Sequence, residues 1–282
     1  MKSISALSSL AAFGLLASLS NSYASDDWKA NPTDNDWLTA SNWNAGGGTN
    51  TILEGDNGDS TTNLSGDAGS LNGAVKAGLQ IRGGHILNIL SGASLNVSGN
   101  INMGAAGSGT VYQTGGSVDV DDSLFMVGSH SASYTISGGS LTTDGISVGT
   151  LAASTFAIEG DTASVEVAGA LNANAFSTFG FTLGMTGVDT IDSITTMTIV
   201  SGAGLVIDGS SYTGGAGTIS LFSYSDLADA TEFAESISGF GSLTADVVYT
   251  ATGIDLVLIP EPGTYALLGG MLALTAVIMR RR

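Results

Sequence analysis

The chain has 282 residues, with 25 acidic against 7 basic side chains, a formal charge of −18 and no cysteine. That charge balance repels phosphate backbones and excludes nucleic acid as a partner, and the missing thiols exclude disulfides, a thiol nucleophile and a thiolate metal site. Only 11% of residues are charged and 43% are apolar, with 41 glycines and 3 prolines, which excludes a disordered chain or a helix bundle and points to a glycine-rich, all-β body.

Residues 1–24 read as a signal peptide, with Lys2 as the positive start, an apolar run from Leu7 to Leu19, and Ser22-Tyr23-Ala24 at its end. Small residues stand at both positions a signal peptidase reads, so cleavage is expected between Ala24 and Ser25. Export through the inner membrane follows. Residues 25–78 hold all the tryptophans, Trp28, Trp37 and Trp43, and are expected to form an aromatic N-terminal cap over an open core end. The rival reading is an exposed platform on which sugar rings stack. Glu54-Gly55-Asp56-Asn57-Gly58-Asp59 places oxygen ligands at alternating positions, which makes Asp56 and Asp59 a candidate for weak Ca²⁺ binding. The segment lacks the glutamate that closes a calcium loop, and a plain turn is the alternative. No other metal site and no cofactor are expected.

From Leu79 to about residue 180 the chain repeats itself. Ser94-Leu95-Asn96-Val97, Ser117-Val118-Asp119-Val120, Ser140-Leu141-Thr142-Thr143 and Ser164-Val165-Glu166-Val167 align with serines 23, 23 and 24 residues apart. Gly115-Gly116 and Gly138-Gly139 precede two of them, and each unit carries a further apolar segment such as Leu124-Phe125-Met126-Val127. Short alternating stretches are the strand signal, and self-similarity at this period indicates a solenoid. The predicted fold is a parallel β-solenoid of about 23 residues and three short strands per coil, with Leu95, Val118, Leu141 and Val165 in one inward column. A β-sandwich with evenly spaced strands is the alternative.

Within this region His85 and His130 have no acidic or histidine partner at helical spacing and read as solvated surface residues. Asp119, Asp121 and Asp122 offer paired carboxylates, the general acid and base of a polysaccharide hydrolase or lyase. The body, though, has only Lys29, Lys76 and Arg82 to meet an anionic substrate, so these acids read as a solvated face. Residues 181–259 are expected to form a β-rich C-terminal cap with strands near 197–200, 204–207, 218–222, 245–249 and 254–258, and a short helix or long loop at 226–236.

Residues 260–282 combine Pro260-Glu261-Pro262, an apolar run from Tyr265 to Met279, and Arg280-Arg281-Arg282. The prolines lack amide donors and cannot lie inside a helix. The run is expected to form a single transmembrane helix, short for a span, with the arginines fixing its orientation from the inner side. Motif, apolar run and arginine cluster in this order closely resemble the PEP-CTERM sorting signal of Gram-negative bacteria. That resemblance implies processing by an exosortase-type membrane enzyme near Pro260, Glu261 and Pro262, with the helix held only transiently in the inner membrane. The tryptophan segment and the repeats resemble those of autotransporter-like surface solenoids. Together these imply a non-catalytic protein of the cell surface or extracellular matrix, in contact with exopolysaccharide or a surface glycan. The alternative is a carbohydrate-binding or carbohydrate-active β-helix protein, a lyase or hydrolase.

Overall fold

The computed structural model describes residues 26–29, 36–44, 50–54, 61–67, 76–229 and 231–280. Ala24, Ser25, Asp56, Asp59, Arg281 and Arg282 lie outside them. The N-terminal strands are β1 (Asp26–Trp28), β2 (Trp43–Asn44), β3 (Asn50–Glu54) and β4 (Thr61–Leu64). There follow β5 (Lys76–Arg82), β6 (His85–Ile89), β7 (Ser94–Met103), β8 (Gly109–Met126), β9 (Ala132–Val148), β10 (Ser154–Glu159), β11 (Ala163–Ala173) and β12 (Ser177–Thr182). The C-terminal part adds β13 (Ile191–Ile199), β14 (Gly204–Asp208), β15 (Gly217–Leu227), β16 (Ala234–Ser238), β17 (Leu243–Tyr249), β18 (Gly253–Pro260) and a helix, Pro262–Arg280.

These strands wind into a parallel β-solenoid of about six turns with about 24 residues per coil. Each coil contributes to three faces. One face stacks β4, β6, the starts of β8 and β9, then β10, β12, β14 and β16, all in parallel. The second stacks the start of β7, the middle of β8 and β9, and the starts of β11 and β13. The third begins at β1 and β3, passes through β5, and continues along the ends of β7, β8, β9, β11 and β13. Long strands such as β8 turn the corner between faces without ending, through shifts in register.

The inward column expected from the serine alignment is present. Leu95 lies beside Val118, Val118 beside Leu141, and Leu141 beside Val165, and the column runs on to Ile191 and Phe222. All six are buried. Burying each such side chain is worth roughly 1.5–3 kcal/mol, but only because the next coil covers it. A second column carries aromatics: Tyr134 and Phe156 stack with ring centroids 5.5 Å apart, and Phe156 meets Phe179 at 6.1 Å. Several polar groups that enter the core are paired, although the Thr51 and Ser177 hydroxyls are buried without a partner among the described residues. The Tyr134 hydroxyl donates to Gln113 Oε1 at 2.6 Å, and Gln113 Nε2 donates to the Ser140 carbonyl at 2.9 Å. Thr143, in line with Val97, Val120 and Val167, donates its hydroxyl to the carbonyl of Asp122 at 3.0 Å.

The corner between the first two faces explains the glycine pairs. Gly116 and Gly139 have φ of 71° and 83°, a left-handed conformation that side chains disfavour. They also stack, so a Cβ on Gly139 would run into the Gly116 carbonyl oxygen.

Three expectations are corrected and one holds in part. Parallel pairing does not stop near residue 180: β13 pairs with β15 and β14 with β16, Ile191 lying opposite Phe222 and Gly204 opposite Ala234. Insertions lengthen these coils and hide the repeat. Antiparallel pairing, the hallmark of a cap, is confined in this part to β18, which lies between β15 and β17. Of the helix or long loop expected at 226–236, the loop is present in shorter form, its described residues 228–229 and 231–233 lying between the end of β15 and the start of β16. His85 is fully buried, its Nε2 2.8 Å from Thr62 Oγ1, whereas His130 is exposed. For the expected transmembrane helix, the C-terminal helix has 19 residues, and among the described residues no helix is long and apolar enough to cross a membrane. At ~1.5 Å per residue such a helix rises only about 28 Å against a hydrocarbon core of about 30 Å. Thr264, Gly269, Gly270 and Thr275 dilute it further.

Candidate functional site

Two regions stand out chemically, and both lie at the C-terminal end. The first is the joint between solenoid and helix. Pro260 closes β18 opposite Leu243, where a missing amide costs no ladder bond beyond the strand end. Glu261 is exposed and donates its backbone N–H to the Ser242 carbonyl at 3.2 Å. Pro262 opens the helix, the position where a missing N–H and a fixed φ suit the first turn. The helix then presents Leu267, Met271, Leu272, Leu274, Val277, Ile278 and Met279, all more than half exposed. They are spread around much of its circumference rather than along one narrow stripe. A helix apolar all round belongs inside a protein or a lipid phase.

The second is a groove of about 480 Å³ beside that joint. Its walls are the loop after β14, with Ser210, Tyr212 and Thr213, and the loop between β16 and β17, with Phe240, Ser242 and Leu243. Backbone hydrogen bonds Tyr212 N–H to the Gly209 carbonyl (2.9 Å) and Leu243 N–H to the Phe240 carbonyl (3.0 Å) fix the two turns.

The acidic residues do not converge. Asn96, Asp119, Thr142, Glu166 and Asp192 form one outward row on the second face, with Glu166 directly beside Asp192. Asp119, Asp121 and Asp122 are exposed positions along β8, the first two separated by buried Val120, and do not face one another across a cleft. Burial, then the Glu166 carboxylate, pushes Asp192 above the ordinary carboxylate range. Burial, then Asp161 and Asp192, does the same to Asp189, against the opposing Ala163 backbone hydrogen bond. Glu235 is raised too, chiefly by burial, although the Tyr249 hydroxyl 3.2 Å away favours its charged form. Among the described residues, no group of three or more His, Asp or Glu is placed to hold a metal ion.

Of the basic residues, Arg82 pairs with Glu54 of the preceding coil at 3.0 Å, and Lys29 Nζ donates to the Ser41 carbonyl at 2.6 Å. Both sit in the first coils, far along the chain from the groove. Trp37 is buried, which removes it from a sugar-stacking role. Trp28 and Trp43 are opposite each other in the β1–β2 register. The groove escaped sequence reading because its aromatics, Tyr212 and Phe240, belong to successive coils. The signal that was available is the glycine next to each ring wall, Gly209 and Gly214.

Fold and surface thus define an acidic parallel β-solenoid with an antiparallel closing sheet and an appended apolar helix. No family model, no curated protein and no solved structure matches the chain.

Proposed function

We propose that this chain is an exported, non-catalytic structural protein of the cell surface or extracellular polysaccharide matrix, released by an exosortase-type enzyme at Pro260-Glu261-Pro262. The observation that carries this reading is the joint itself. An exposed glutamate sits between a proline that ends the folded body and a proline that begins a bare apolar helix. Cutting there would leave β18 in place between β15 and β17, so the solenoid keeps its closing sheet. The helix is short for a permanent span, which suits a segment that engages the inner membrane transiently and is then discarded. Arg280 and the arginines after it would favour the anionic inner leaflet. The ladder of backbone bonds and apolar columns, with few cations near any acid pair, supports a scaffold over a hydrolase or lyase. In its native host, Glu261→Ala is expected to leave a full-length, membrane-held form; a variant processed like the wild type would remove the reading.

A further inference from the structure

We propose that the groove between the β14–β15 and β16–β17 loops binds an uncharged saccharide. The Phe240 ring lies close over Gly209, where any Cβ would collide with its ring carbons, and the hydroxyl end of Tyr212 lies against Gly214 of the same loop, where a Cβ would meet its Oη and Cζ. Both rings are half-buried and packed against the core, and both line the groove with the surface that remains. The rings are 6.2 Å apart at 59°, and the Tyr212 hydroxyl donates to the Gly215 carbonyl at 3.0 Å, which fixes its orientation. Ser210 is fixed as well: its N–H and Oγ–H both donate to Asp208, at 2.9 and 3.1 Å, so its oxygen lone pairs remain free to accept. Thr213 is tied to the Met185 carbonyl by its N–H and its hydroxyl, both at 3.2 Å. A second depression of about 280 Å³ shares Gly239, Phe240, Gly241 and Leu243, which makes the feature elongated, with Phe240 at its waist.

Rigid aromatic surfaces beside hydroxyls and backbone carbonyls match the two sides of a pyranose, whose C–H face is apolar and whose rim is hydroxylated. The volume falls in the range of small-ligand sites. Charge selects among sugars. Among the described residues no lysine or arginine lines the groove, while Asp208 is tied to Ser210 on one wall and Glu261 to Ser242 on the other. Uronic acids, sulfated sugars and phosphorylated sugars would meet repulsion with nothing to neutralise them. Neutral hexose units would not. The proposal uses only residues before Pro260 and rests on no part of the sorting reading.

The test uses the full chain in mild detergent, with cellohexaose and maltohexaose as neutral probes and an oligogalacturonate as the anionic one, read by saturation-transfer NMR and calorimetry. At least one neutral probe is expected to bind, the oligogalacturonate is not, and Tyr212→Ala or Phe240→Ala should weaken binding at least about tenfold. Tyr212→Phe should retain it. Gly215 has open space where a Cβ would go, so Gly215→Leu fills the groove without disturbing the packing and should weaken binding similarly. Absence of binding by both neutral probes at millimolar concentration overturns the proposal. So does equal affinity for the oligogalacturonate, or undiminished binding in both Tyr212→Ala and Gly215→Leu.

Discussion

Val118 and Asp119 are neighbours in sequence on opposite sides of one strand, which makes them a sharp test of the coil register. Val118 is 1% exposed and lies between Leu95 of the coil before and Leu141 of the coil after, whereas Asp119 faces solvent. Val118→Asp removes a buried apolar side chain, roughly 1.5–3 kcal/mol, and replaces it with a carboxylate set between the apolar side chains of Leu95 and Leu141. An unpaired buried ion costs several kcal/mol more even after relaxation. The total, on the order of 5 kcal/mol or above, rivals the whole stability of a typical domain. Val118→Ala, which leaves a small cavity but no charge, should cost only about 2 kcal/mol, and Asp119→Ala less than about 0.5 kcal/mol. Urea unfolding of the full chain followed by far-ultraviolet circular dichroism measures all three. If Val118→Asp unfolds at the wild-type midpoint, or Asp119→Ala is the more damaging change, the inward column is assigned to the wrong residues.

Three further outcomes are expected. Gly139→Ala should lower the melting temperature far more than Gly160→Ala, though their φ values are 83° and 80°, because only the former Cβ would strike the neighbouring coil; the shared left-handed cost is about 1–2 kcal/mol. Tyr134→Phe leaves buried Gln113 Oε1 without its donor and should cost about 1–3 kcal/mol, largely recovered by adding Gln113→Leu, as a double-mutant cycle in urea would record. Asp189, Asp192 and Glu235 have raised folded-state values, so the folded chain holds protons that the unfolded chain gives up. Their destabilising contribution is absent below the ordinary values, 3.8 for Asp and 4.5 for Glu, and grows as pH climbs from there through the raised values, so their share of stability, followed by melting temperature, should fall as pH rises across that window. Asp192→Asn should flatten that slope; a flat wild-type profile would contradict it.

The solenoid was legible where the coils are short and equal. Serines 94, 117, 140 and 164 mark positions that truly stack, because the Gly115-Gly116 and Gly138-Gly139 corners recur at the same spacing. Past Phe179 the strands remained readable by alternation, but Ile191 to Phe222 and Gly204 to Ala234 span insertions, and equal spacing was the only clue to which strands stack. His85 could have been placed correctly: in His85-Ile86-Leu87-Asn88-Ile89 it shares the parity of Leu87 and Ile89, and all three are buried. Judging it by missing metal partners ignored the strand period. Trp37 was placed with the cap, and its burial agrees with a structural role for that side chain. The groove was not legible as a unit, since Tyr212 and Phe240 stand in successive coils and only the folded loops bring them together, although Gly209 and Gly214 marked each wall.

The account turns on what happens at the joint after β18, and the mass of the mature protein isolated from its native host reports it directly. A chain beginning at Ser25 and ending near Pro260 is the result the account predicts. A surface protein that still carries Arg282 would contradict it.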